Sequence, residues 1–148
     1  MKVRTIVVGF DGSDNSRRAL DVSIDLVSDD GVVHVVTAYE APSSGEVSRL
    51  LDAMPEEFRG SFDILSGPRT HLHDATSILE ERGIDHKGHF ISGHAAGAIL
   101  DVADEVDADM IIVGSRGLGR ATRFIRGSVS TRVATHAKAS FMVIHDDD

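Results

Sequence analysis

Val3-Arg-Thr-Ile-Val-Val-Gly-Phe10-Asp11-Gly12-Ser13 opens the chain, and its reading decides the fold. Ile6, Val7 and Val8 are consecutive apolar residues. On a strand they point to alternate faces, so both faces of the sheet must be covered. The segment then breaks at Gly9-Phe10-Asp11-Gly12-Ser13 and continues as a helical pattern over Asp14 to Val27, with Ala19, Leu20, Ile24 and Val27 on one face and Ser13 as the candidate N-cap. A doubly apolar strand, a glycine-bearing turn and an amphipathic helix make one α/β unit.

The same alternation recurs outward from this unit. Further β-branched runs lie at Val32 to Ala38, His86 to Ser92, Met110 to Gly114 and Ser140 to His145. Helical stripes separate them. Leu72, Ala75, Ile78 and Leu79 form one that stops at Arg82-Gly83; Ala96, Ile99, Leu100, Ala103 and Val106 form the next; Val129, Val133, Ala134 and Ala137 form the last. The fold class is therefore α/β: a single doubly wound, five-stranded parallel sheet with helices on both faces. Residues from about Glu40 to Thr70 are the least regular, because Pro42, Gly45, Pro55, Gly60, Gly67 and Pro68 interrupt any pattern. Val47, Leu50, Leu51 and Met54 can still make a short amphipathic helix there.

At 148 residues the chain is read as one domain, residues 1–148, with a core large enough to dispense with disulfides. It has no cysteine, which excludes thiol nucleophiles and thiolate metal sites and suits a reducing, cytoplasmic setting. No apolar run reaches membrane-spanning length. The net charge of −9 excludes a general nucleic-acid binder, which needs a broad basic face. Predominance of Asp among the acids, with Lys only at Lys2, Lys87 and Lys138, resembles the surface of a halophilic protein.

That charge is unevenly spread. Between Met110 and His145 stand Arg116, Arg120, Arg123, Arg126, Arg132 and Lys138 and no acid, so this window carries +6 and the remainder −15. Its centre is Gly114-Ser-Arg-Gly117-Leu-Gly119-Arg-Ala-Thr-Arg-Phe-Ile-Arg-Gly127-Ser128. A cationic loop on an anionic protein matches a bound phosphate chain. Gly114, Gly117 and Gly119 let the backbone turn N–H groups toward phosphate oxygens, and Gly127-Ser128 opens a helix whose first amides favour an anion. Arg116, inside the glycine turn, is the candidate phosphate contact, and Ser128 and Ser130 offer hydroxyls to phosphate or metal.

Ligands of open α/β sheets bind beyond the carboxyl ends of the strands, where the winding reverses. A strand order of 3-2-1-4-5 brings the Gly9-Phe10-Asp11 turn and the Gly114 loop together across that crevice, whereas 2-1-3-4-5 separates them. Asp11 has two readings: a bond to a ribose hydroxyl, an adenine amine or Mg²⁺, or a cap on the following helix. Familiar nucleotide motifs are missing, with neither a P-loop nor a Gly-x-Gly-x-x-Gly after the first strand. The eight histidines show no metal-ligand spacing and are expected in solvent.

Gly114-x2-Gly117-x9-Gly127-Ser128 resembles the ATP-binding signature of the universal stress protein family. The likeness extends to Ile6-Val-Val-Gly-Phe-Asp-Gly-Ser13, to Ala108-Asp-Met-Ile-Ile-Val-Gly-Ser-Arg-Gly117 and to Gly127-Ser-Val-Ser-Thr-Arg-Val133. It implies the 3-2-1-4-5 order, a homodimer and membership of the branch that binds ATP. It further implies that Asp11 lies at the nucleoside end, that Val35 contacts adenine, and that Val113, Arg116, Gly117, Gly127, Ser128, Val129 and Ser130 line the ribose and phosphates.

Three functions follow as expectations. One is an ATP-binding regulatory protein, with Mg²⁺ accompanying the nucleotide and an unknown protein partner reading the bound state. Another is a slow Mg²⁺-dependent ATPase, slow because the phosphate loop holds no acid, Gln or His to orient water. The third is a nucleotide-free dimeric interaction module. Dimerisation is expected through the last strand, Ser140 to Ile144, since an apolar outer strand is an association hazard unless its own copy pairs with it.

Overall fold

Strand β1 (Val3–Gly9) lies in the middle of a parallel sheet, and Ile6, Val7 and Val8 are all fully excluded from solvent. Burial of each such side chain is worth about 1.5–3 kcal/mol, so the pattern that marks the strand also holds it in place. The structure, a computed structural model, describes residues 1–61, 63–115 and 139–145. Along the chain these form β1, α1 (Asp14–Leu26), β2 (Val27–Tyr39), α2 (Ser44–Ala53), α3 (Glu56–Arg59), α4 (Ser66–Glu81), β3 (His86–Ser92), α5 (Ala95–Val106), β4 (Met110–Gly114) and β5 (Ser140–Ile144). Among the described residues the sheet has five strands in the order β3-β2-β1-β4-β5, every pairing parallel. Of the two strand orders open to the residues, this is the one that makes β1 and β4 neighbours.

The order explains the layers. The chain first steps from β1 to β2 to β3, then returns across the sheet to β4, and since parallel crossovers are right-handed such a reversal sends the returning helix to the opposite face. Accordingly Ile6, Val8, Val33, Val35 and Ile112 pack with Ala19 and Leu20 of α1 and with Ala75 and Leu79 of α4. Val7, Val36, Ile111 and Val113 pack with Ala98, Ile99, Val102 and Ala103 of α5. Adjacent residues of one strand thus feed separate cores. At the amino ends of the strands, Asp109 ties three of them together: its carboxylate accepts from the Thr5 N–H at 2.9 Å, its own N–H donates to the Thr5 carbonyl, and its carbonyl accepts from Ser140.

Several expected boundaries shift, each for a local reason. Val27 does not end α1 but begins β2, with extended dihedrals and a pairing to Val3. Between Val3 and Thr5 the register slips, and Gly31 makes room for it: a Cβ there would lie 2.7 Å from the Arg4 carbonyl oxygen. Ser13 does cap α1, its hydroxyl accepting from the Ser16 N–H at 3.2 Å. The Glu40-to-Thr70 stretch is more regular than its prolines suggest. Pro68 falls in the first turn of α4, where a missing N–H costs no hydrogen bond. Ser43 and Glu46 close a capping box on α2, which has no buried residue. The helix expected over Val129 to Ala137 lies outside the described residues.

The histidines are not all in solvent. His34 is only 8% exposed, and its Nδ1 lies 3.0 Å from Nε2 of His89 on the neighbouring strand. Such a contact requires one ring to donate and the other to accept, so it fails when both are protonated. Burial lowers both pKa values from the ordinary 6.5; for His34 the adjacent His89 and Lys87 add to this, for His89 Lys87 does, and Glu105 on α5 opposes it in each case.

The unfolded chain therefore binds protons that the folded chain refuses, and stability falls as pH drops below about 6.5 toward the lowered folded values. Urea midpoints should decline between pH 7 and pH 5, and His89→Gln should flatten that decline; an unaltered pH slope in the variant contradicts the assignment. A second expectation concerns Gly114, where a Cβ would lie 2.6 Å from the Asn15 backbone carbon. Gly114→Ala should cost roughly 1–3 kcal/mol by urea denaturation, as overpacking against backbone does, and an unchanged midpoint would refute the close approach.

Candidate functional site

Because β1 and β4 are neighbours and α1, which follows β1, lies on the opposite face from α5, which precedes β4, the described residues leave their carboxyl ends uncovered between α1 and α5. A cleft of about 380 Å³, including its open mouth, occupies this place. Its described lining comes from Gly9, Phe10 and Asp11 after β1, Val36 and Ala38 of β2, Ser16 of α1, Ala95 and Ile99 of α5, and Val113 and Gly114 of β4.

Two glycines shape it. A Cβ on Gly9 would stand 2.7 Å from Ile99 Cδ1, so its absence lets α5 lie close over β1. Gly114 does the same for the first turn of α1. There the buried Asn15 donates from Nδ2 to Ser115 Oγ at 3.0 Å, while the Ser115 N–H donates to the Ile144 carbonyl at 2.8 Å. The chain leaving β4 is thus moored to α1 on one side and β5 on the other as it enters the arginine-rich window.

The turn after β1 is equally fixed. Phe10 donates its N–H to the Val36 carbonyl at 2.9 Å and accepts at its own carbonyl from Thr37 Oγ1 at 2.8 Å. Its ring is buried on the α1 side, with the Arg17 guanidinium 5.8 Å from the ring centre. Asp11 is exposed; Oδ1 accepts from the Ser13 N–H at 2.9 Å, and its own N–H donates to Ser16 Oγ at 3.4 Å. It shapes the turn before the helix, whereas the helix amide at Ser16 is capped by Ser13. Gly12, at φ +82°, has the His71 ring where a side chain would go.

Of the expected site residues, Gly9, Phe10, Asp11, Val113 and Gly114 meet at this cleft. Val35 does not line it. Its side chain is fully buried under α1 and α4, and the pleat puts Val36 into the cleft instead. Arg116, Gly117, Gly119, Gly127, Ser128, Val129 and Ser130 lie outside the described residues. Reading the sequence missed Val36, Ala38, Ala95 and Ile99 because each fits a strand or helix core stripe equally well. Strand parity was the available signal: once Val7 and Val113 face α5, Val36 must face it as well. Asn15 carried no such signal.

The described lining is thus mostly apolar, with Asp11 and Ser16 as its polar side chains. Among the described residues no group of three or more His, Asp or Glu is placed to hold a metal ion, and no helix is long and apolar enough to cross a membrane.

Comparison with known proteins agrees with this architecture. Residues 2–145 match the model of the universal stress protein family. The chain is 32% identical over 149 residues to a universal stress protein of Mycobacterium tuberculosis, covering 96% of each. It superposes with a TM-score of 0.64 at 26% identity on a universal stress protein solved in complex with cAMP, covering 98% of both chains. A third relative, the universal stress protein of Archaeoglobus fulgidus in complex with dAMP, superposes at 0.58 with 26% identity, covering 97% of this chain and 99% of that one. With a family match over almost its entire length and the strand order that the fold requires, this chain belongs to the universal stress protein family.

Proposed function

We propose that the chain is a stress-response regulatory protein that binds an adenine nucleotide, ATP foremost, in the cleft between the carboxyl ends of β1 and β4. One observation carries this reading: a largely apolar cleft lies where Gly114 leads straight into a segment holding six basic residues and no acid. Apolar walls suit a base, and a cationic, glycine-spaced loop suits its phosphates. Two relatives at 26% identity hold cAMP and dAMP, which supports an adenine nucleotide as the ligand class.

In this reading Val36 and Ile99 flank the base and Asp11 lies by the ribose. Arg116, Gly117, Gly119, Gly127, Ser128, Val129 and Ser130 serve the phosphates. Mg²⁺ typically binds through one or two carboxylates together with phosphate oxygens. The exposed carboxylate of Asp11 and the Ser128 and Ser130 hydroxyls are the groups that would hold it beside bound ATP. Hydrolysis is slow, since no acid, Gln or His stands between Gly114 and Ser128 to position water. The protein works in the cytoplasm as a homodimer joined along β5, whose outer edge pairs with no other described strand. Binding of ATP alters its affinity for a protein partner.

Titration of ATP into protein freed of ligand by unfolding and refolding should give saturable binding, weakened at least about tenfold, or about 1.4 kcal/mol, by Gly117→Val. Absence of binding to the wild type would overturn the proposal. Light scattering at micromolar concentration should return twice the chain mass, and a monomer mass would remove the β5 interface.

A further inference from the structure

We infer that the elbow formed by α2 and α3 is a docking surface for a basic amphipathic helix of a protein partner; this goes beyond the nucleotide cleft and holds whether or not that cleft is filled. Helix α2 sets Val47, Leu50, Leu51 and Met54 at the i, i+3, i+4 and i+7 spacing of a single apolar face. In a packed domain such a face turns inward. Here no residue of α2 or α3 is buried, and neither core cluster takes a side chain from them. Val47, Leu51 and Met54 are half-buried and Leu50 is exposed. Of the large apolar side chains that the described residues leave open to water, Leu50 at 45%, Phe58 at 56% and Ile64 at 36% all fall between positions 50 and 64, and the only other is Met1.

The elbow is nonetheless a defined shape. A capping box starts α2, with Ser43 Oγ accepting from the Glu46 N–H at 3.2 Å and Glu46 Oε2 accepting from the Ser43 N–H at 3.0 Å. At the bend the Met54 N–H donates to the Leu51 carbonyl at 3.2 Å, the Phe58 N–H to the Pro55 carbonyl at 3.0 Å, and Arg59 Nε to the Met54 carbonyl at 3.2 Å. A ten-residue helix is marginal in water when packing does not support it. Local bonds therefore keep this one in place while its apolar face stays open.

Charge identifies the occupant. Asp52 follows Leu51, and Glu56 and Glu57 precede Phe58; all three acids are exposed and make no side-chain hydrogen bond or ion pair among the described residues. The other acids of the segment are engaged, Glu46 in the capping box and Asp63 with Arg69. Arg49 and Arg59 donate to the main-chain carbonyls of Gly45 and Met54 rather than to these carboxylates. An apolar face bordered by uncompensated negative charge repels an anionic membrane, and it repels a second copy of itself, because two-fold pairing through the same face sets acid against acid. A partner helix with apolar residues at the matching spacing and Lys or Arg on its flanks satisfies both the face and its border.

The test uses fluorescence anisotropy on the full-length protein at physiological ionic strength. Its probe is a labelled helical peptide of about 18 residues, long enough to span α2, with leucine on one face and lysine on the other. A leucine–glutamate peptide of the same pattern is the control. The wild type should bind the lysine peptide and not the glutamate one. Leu50→Ser combined with Phe58→Ser should weaken binding about tenfold, and so should Asp52→Asn combined with Glu56→Gln and Glu57→Gln. Removing three exposed acids toward the amino ends of the strands, by Asp21→Asn, Asp25→Asn and Asp29→Asn together, should change it by less than about twofold. Melting temperatures should match the wild type throughout, since every altered side chain lies outside both cores. Failure of the wild type to bind the lysine peptide, equal binding of the glutamate peptide, equal weakening by the Asp21, Asp25 and Asp29 variant, or undiminished binding after loss of Leu50 and Phe58 would overturn the inference. A lower mass of the Leu50→Ser, Phe58→Ser variant by light scattering would give the face to a second copy of the chain and overturn it as well.

Discussion

Strand β1 is held between β2 and β4, and the contents of the carboxyl end of the sheet follow from that adjacency. If β3 lay between β1 and β4, the turn at Gly9-Phe10-Asp11 and the exit at Gly114-Ser115 would be separated by a strand width of about 5 Å or more. In the observed order they face each other, and the helices on their flanks lie on opposite faces. Among the described residues no backbone crosses the gap. The cleft is what remains when right-handed connections reverse direction in a parallel sheet.

Close approaches then sharpen the gap into a site. Gly9 admits Ile99, Gly114 admits the first turn of α1, and Gly31 absorbs a slip of register at the far end of the same two strands. Asn15 and Ser115 fasten the β4 exit to the helix that begins at the cleft. The arginine-rich segment therefore starts from a fixed point. Thr37 and Val36 immobilise Phe10 from the β2 side, which leaves Asp11 presented at the edge rather than drawn into the core. Rigid elements on three sides are the arrangement that lets a binding site be built with little cost of ordering.

The fold was legible because its signal is redundant: Ile6, Val7 and Val8 require two cores, and amphipathic helices between strands provide them. Boundaries were less legible where one chemistry serves two structures. Val27 completes a helical stripe and starts a strand equally well, and Pro68 breaks a helix interior yet is harmless in a first turn. At the cleft, Gly9, Asp11 and Gly114 were visible because they stand where strands β1 and β4 end, the place at which open parallel sheets leave a crevice. Val36 and Ile99 were not, since an apolar cleft wall and an apolar core have the same composition; Val35 was carried over from the family resemblance and sits on the wrong side of the pleat. The His34–His89 contact was hidden for a different reason, as cross-strand register brings together residues 55 apart in sequence.

The most direct test of the cleft is methyl-resolved NMR of the protein labelled at Ala, Ile and Val, recorded with and without saturating ATP. The account predicts that shifts concentrate on Val36, Ala38, Ile99 and Val113, while Val33, Val35 and Ala75 under the opposite helices scarcely move. Shifts centred on those latter residues, or spread evenly over both cores, would contradict a nucleotide site at the β1–β4 crevice.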